Sequence, residues 1–205
     1  MTTKLRCTIT SSLLVILNSF LLFGTTVKPV NLSEMVEYAD RVFYGRCVSA
    51  ESKFDSEAGA TVREYRFLVK ESLKGVVEGE EVVIRQIQTM GSRGPSIPGI
   101  PAYHKGQQLL LFLHADSRIG LTSPVGMSQG TFMVRKLPSG EVGFVNPQKN
   151  RNLTHQIEPQ ALASQVLSAE QINLLDSGEP IPLNAMREMV RNLDELHERE
   201  GGVVK

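Results

Sequence analysis

Behind a glycine-led turn at His104-Lys105-Gly106, the chain runs Gln107-Gln108-Leu109-Leu110-Leu111-Phe112-Leu113 and then returns to polar residues at His114. An apolar run of about 4–8 residues bounded by turn signals reads as a strand covered on both faces. Its neighbours alternate instead. Tyr65, Phe67 and Val69 fall on one side of the segment Thr61 to Lys70, and Glu64, Arg66 and Lys70 on the other, the period-2 pattern of a half-buried strand. One doubly covered strand among half-wet ones predicts a mainly β fold, a small barrel or sandwich built around Leu109–Leu113.

The remaining elements follow from local signals. Asn31-Leu32-Ser33-Glu34 has the capping-box spacing of a helix start. Val42 to Val48 reads as the first strand, with Gly45 marking a bulge or sharp coil. A hairpin connection over Lys53–Ala60 leads to the second strand, which ends at Leu73-Lys74-Gly75, and Glu81–Ile87 is the third. Residues 90–101 contain three prolines and three glycines, which exclude helix and a paired central strand. A loop of that length is a place to look for binding. Thr131–Arg135 and Glu141–Val145 form a later hairpin. Asn150–Pro159 reads as loose polar chain, and Ser168–Asp176 as a short helix. A final helix is capped by Asn184 and repeats Met186, Met189, Val190, Leu193 and Leu196 at three- and four-residue spacing. Docking of that helix on the outside of the barrel is the expected role, with partner binding the alternative.

Residues 1–26 have the plan of an export signal. Lys4 and Arg6 precede the apolar stretches Leu13–Leu17 and Phe20–Phe23, and Gly24-Thr25-Thr26 supplies small residues for cleavage. The apolar part is shorter than the ~20 residues of a spanning helix. Export to the periplasm or outside the cell is therefore expected, with no stable membrane span after cleavage; an uncleaved N-terminal anchor is the alternative. The division that follows is 1–26 signal, 27–147 β domain, and 148–205 linker and C-terminal helical extension. Of 205 residues, 22 are Lys or Arg and 22 are Asp or Glu. Removing the signal takes two bases and no acid, leaving 20 against 22, or −2. Such a balance provides no field to recruit nucleic acid. Cys47 becomes the lone cysteine of the processed chain, and its strand position predicts an inert buried thiol.

No residue pattern supplies catalytic chemistry, and neither a metal nor a cofactor is expected. His104 and His114 flank the central strand about 33 Å apart in an extended chain, too far to share a metal. Gly126-Met127-Ser128-Gln129-Gly130 matches a nucleophile elbow in letters, but that motif needs a strand before it and a helix after it; here a strand follows. Its glycines are expected to serve backbone turns. For single-stranded nucleic acid, Arg63, Tyr65, Arg66 and Phe67 come nearest to interleaved basic and aromatic residues, yet Tyr65 and Phe67 belong to the core face. Arg93, Tyr103 and His104 remain as candidate partner-binding residues at the rim beside the Gly/Pro loop.

The order of signals resembles a group of uncharacterised exported bacterial proteins and, more distantly, the netrin-like domain of the tissue inhibitors of metalloproteinases. The signals are the leading helix, Val42-Phe43-Tyr44-Gly45-Arg46, Leu73-Lys74-Gly75, Lys105-Gly106 before Leu110–Leu113, and Gln129-Gly130-Thr131-Phe132, spanning roughly residues 31–146. The resemblance implies a five-stranded, OB-like Greek-key barrel. The inhibitors' zinc-chelating N-terminal cysteine and disulfide framework have no counterpart here. The expected function is a non-enzymatic module that binds a protein or glycan partner outside the cytoplasm. An inhibitor-like or accessory subunit of an extracellular protease is the alternative.

Overall fold

The structure, a computed structural model, describes residues 28–88, 99–155 and 166–201. In chain order its elements are α1 (Leu32–Tyr38), β1 (Arg41–Asp55), β2 (Ala60–Lys74), β3 (Glu81–Ile87), β4 (Gln108–Leu113), β5 (Thr131–Lys136), β6 (Val142–Val145), α2 (Ala169–Asp176), β7 (Ile181–Pro182) and α3 (Leu183–Gly201). All strand pairs are antiparallel and form one sheet in the order β3-β2-β1-β4-β5-β6-β7. The first four strands have Greek-key order, β4 returning to lie beside β1.

The central strand explains the rest. β4 sits at the middle of the order, and its apolar run is divided between two cores. Leu110 and Phe112 join α1, Val42, Tyr44, Phe132, Phe144 and the buried stripe of α3. Leu109, Leu111 and Leu113 join Phe43, Phe67, Val69, Val82, Ile84 and Tyr103 on the other face. From Leu109 to Leu113 each face is sealed from water, and every residue there is apolar. The α3 stripe of Met186, Met189, Val190 and Leu193 is fully buried. That helix is docked, as its periodicity predicts.

The mainly β class stands, but among the described residues seven strands in one open sheet replace the expected five-stranded closed barrel. The β3 edge does bend toward the chain leaving β4. There, however, the Thr122 amide donates to the Arg85 carbonyl (3.0 Å), and the Arg85 side chain donates to the Ile119 carbonyl (2.9 Å). These contacts do not make a strand ladder. β6 and β7 instead extend the sheet past β5. β7 is two residues long, one of them Pro182, too short to be seen as a periodic signal.

Other boundaries also move. β1 continues seven residues past Val48, to Asp55, against Ala60–Arg66. Among the described residues its polar distal half has β2 alone beside it, and it carries no apolar alternation. Gly45 marks a register shift, and a Cβ there would lie 2.9 Å from the Leu68 carbonyl oxygen. Asn184 lies inside the first turn of α3, which Ile181-Pro182 leads directly. The capping boxes of α1 (Asn31, Glu34) and α2 (Ser168, Gln171) are both complete.

Residues 150–155, expected to begin a loose segment, belong to a tight turn over 146–155 in which Asn146, Asn150, Asn152 and Leu153 are buried. The Asn150 side chain donates to the carbonyls of Phe144 (3.2 Å) and Glu179 (2.8 Å) and accepts from the Asn146 amide (2.9 Å). Asn152 donates to the Val30 carbonyl and to the Gln129 side chain. The network ties the first described residues to the sheet's far end. Residues 1–26 and Pro159 lie outside the described residues.

Candidate functional site

The candidate site grows from an interruption in the third strand. Inward positions on β3 read Val82, Ile84, Gln86, and the next position of that parity is Gln88. The first two fill the second core; the last two bring amides to its open end. Arg63 on β2 is directly opposite Gln86 in the ladder, so the two side chains share a face. The Gln88 amide continues the ladder by donating to the Thr61 carbonyl (2.7 Å).

Each of these three side chains has one buried atom without a hydrogen bond. Among the described residues, five buried side-chain polar atoms lack a hydrogen bond, and Arg63 Nε, Gln86 Nε2 and Gln88 Oε1 are three of them. Gln86 is only 5 % exposed. Its amide approaches the Tyr103 hydroxyl without reaching hydrogen-bond geometry. A buried donor or acceptor left without a partner costs about 1–3 kcal/mol, so folded chains seldom gather such atoms in one place.

Beside Gln86 is a cavity of about 240 Å³ between the β3 edge and the segment after β4. Its apolar walls are Ile87, Ile100, Ala115 and Leu121, and its polar ones Arg85, Gln86, His114, Thr122 and Ser123. For scale, an apolar cavity of about 150 Å³ accepts benzene. Several lining groups are already engaged. Arg85 forms an ion pair with Asp55 on β1 and donates to Ile119. The Thr122 hydroxyl donates to the His114 carbonyl (2.7 Å), and His114 Nδ1 lies 3.2 Å from the Tyr38 carbonyl oxygen. The Ala58 amide, with Arg85 and Glu57 assisting, holds the Asp55 carboxyl below the usual carboxylate range. The hairpin tip and the cavity wall are thereby clamped to β3, and two buried lining atoms, Gln86 Nε2 and Arg85 Nε, remain without a hydrogen bond.

The sequence candidates fall elsewhere. Arg93 lies outside the described residues. Tyr103 is fully buried, its ring 4.9 Å from Tyr65 and 5.3 Å from Phe67 between centroids, and its hydroxyl is 3.3 Å from Thr131 Oγ1. Burial pushes its hydroxyl pKa up, against the opposing hydrogen bond from Thr131. Its neighbour His104 is exposed in the turn that leads to β4. The structure does not bring Tyr103 and His104 to a common surface. Gln86 was missed, although polar residues at two successive inward positions of an otherwise apolar strand are a usable signal.

The remaining motifs resolve structurally. Gly126 takes a left-handed conformation (φ 61°) before a 3-10 turn, and a Cβ at Gly130 would meet the Val125 carbonyl oxygen at 2.6 Å. The Gly-x-Ser-x-Gly letters thus serve a backbone turn. Cys47 is buried and unbridged; its thiol donates to the Ser49 carbonyl (3.2 Å), and burial pushes its pKa up, the opposite of an activated thiolate. Among the described residues, no group of three His, Cys, Asp or Glu side chains is placed to hold a metal ion. No described helix is long and apolar enough to cross a membrane.

Comparison with family models, curated proteins and solved structures finds no match for this chain.

Proposed function

We propose that this chain is a non-enzymatic binding module, acting outside the cytoplasm, that accepts a segment of a protein partner in the cavity beside Gln86. The observation that carries the reading is the unpartnered Gln86 Nε2 in the wall of an open, largely aliphatic cavity, with unpartnered Arg63 and Gln88 atoms on the same face of the sheet. Binding sites of this kind combine apolar walls with a few polar groups that fix orientation. At about 240 Å³ the cavity is below the usual 300–1,000 Å³ of small-molecule sites, and it suits one inserted side chain with a carbonyl or carboxamide end. A protein segment is favoured over a glycan because the lining, among the described residues, includes no Phe, Tyr or Trp ring on which a sugar face would stack. The extracytoplasmic setting rests on the signal pattern of residues 1–26, and the absence of catalysis on the lack of a converging acid, base and nucleophile in the sequence.

The test is affinity capture from the extracytoplasmic fraction of the source cells, using the whole chain and its Leu121→Arg variant as baits. Leu121 is half-buried in the cavity wall, so arginine there fills the opening with a charge. The expected result is a partner protein retained by the native chain and lost by the variant. A partner held equally by both baits, or none held by the native chain, would contradict the assignment.

A further inference from the structure

We infer that the distal half of β1 is a self-complementary edge through which two copies of this chain associate. β1 pairs with β4 only over Arg41–Arg46. At Cys47 the backbone bonds with Gln107 and Gly106 close that side. From Ser49 to Asp55, among the described residues, the strand has β2 on one side and no backbone partner on the other. Unpaired strand edges template further pairing, and folded proteins ordinarily blunt them with charge.

Here the charges are arranged to attract a copy of themselves. In an antiparallel pair with its twofold axis at Ser52, Glu51 of each copy faces Lys53 of the other, twice over. Ala50 faces Phe54, and Ser49 faces Asp55. Opposite charges placed directly across an antiparallel pair are stabilising, and a twofold interface must be self-complementary in this way. Two features of the single chain support this register. Glu51 is directly opposite Glu64 in the β1–β2 ladder, and it has no ion-pair partner among the described residues, whereas Glu64 is held by Lys53 (2.6 Å) and Arg66 (2.8 Å). Phe54 is 71 % exposed, and pairing would lay it over Ala50, which packs against the second core. The contact surface is one strand edge, so the association is a concentration-dependent equilibrium, and none of its residues lines the cavity assigned above.

Charge exchange tests it. Sedimentation velocity at low ionic strength, where the ion pairs are least screened, is run on the native chain, on Glu51→Lys, on Lys53→Glu, and on an equimolar mixture of the two variants. Circular dichroism confirms that each is folded. The native chain is expected to dimerise with rising concentration. Each variant alone places like charges opposite one another and stays monomeric. The mixture restores both opposite pairs and dimerises again. A native chain that stays monomeric, variants that dimerise like the native chain, or a mixture that remains monomeric would each overturn the inference.

Discussion

Asn150→Ala is expected to lower the melting temperature, followed by circular dichroism, by about 10 °C. Asn150 is fully buried with a left-handed backbone (φ 59°), a conformation asparagine tolerates better than alanine. Its side chain supplies donors to the Phe144 and Glu179 carbonyls and an acceptor to the Asn146 amide. Truncation leaves these backbone groups without that partner in a dry turn. At about 1–3 kcal/mol for each, and with less than full additivity, the loss is about 3–5 kcal/mol. A domain of this size shifts by about 2–4 °C for each kcal/mol. Asn150→Gly separates the two contributions: glycine relieves the backbone strain, so it should recover about 1 kcal/mol of the alanine loss and no more. A glycine variant with native stability would show that the side-chain bonds contribute nothing.

Gly75→Ala is the second large effect, through a clash instead of a lost bond. Gly75 turns the chain after β2 with φ 65°, and a Cβ there would sit 2.1 Å from the Asp40 carbonyl oxygen. The obstacle is backbone at the α1–β1 junction, so no side chain can swing away. The preceding residue, Lys74, donates to the Val36 carbonyl (2.8 Å) and pairs with Asp194 on α3 (2.8 Å), so displacement of the turn loosens both helices. Gly79 is the internal control, having a similar φ of 83° and nothing within 4 Å of a would-be Cβ. Gly79→Ala should cost about 1 kcal/mol for left-handed strain alone. Gly75→Ala should cost about 3 kcal/mol or more once overpacking is added. Equal melting temperatures for the two variants would refute the clash.

The two positions also mark what is legible in the sequence. Gly75 follows an alternating strand and precedes another, so its role as a turn can be read locally. Asn150 cannot be read this way. It lies among Gln, Lys, Asn and Arg residues that look like solvated chain, and its partners are a strand end and a loop 29 residues downstream. The doubly buried β4 was legible because both its faces are apolar, and the α1 cap because its hydrogen bonds span three residues. The order of signals implies a closed barrel, but closure depends on whether the β3 edge finds a full ladder, which no local pattern encodes. β7 was invisible at two residues. The candidate site was legible in principle at Gln86 and Gln88, where inward polarity breaks the pattern of Val82 and Ile84. The aromatic Tyr103 is the stronger lure in the sequence, but its ring is needed in the core against Tyr65 and Phe67.

The most direct test of the account is Gln86→Leu, read for stability and for partner capture on the same preparation. Leucine removes the unpartnered amide at similar volume. If Gln86 serves binding, folding is relieved of a buried orphan and the melting temperature rises by about 2–4 °C, the equivalent of about 1 kcal/mol, while capture is lost. A variant that melts lower and still holds its partner would show that Gln86 is a structural residue, and would contradict the assignment of the site.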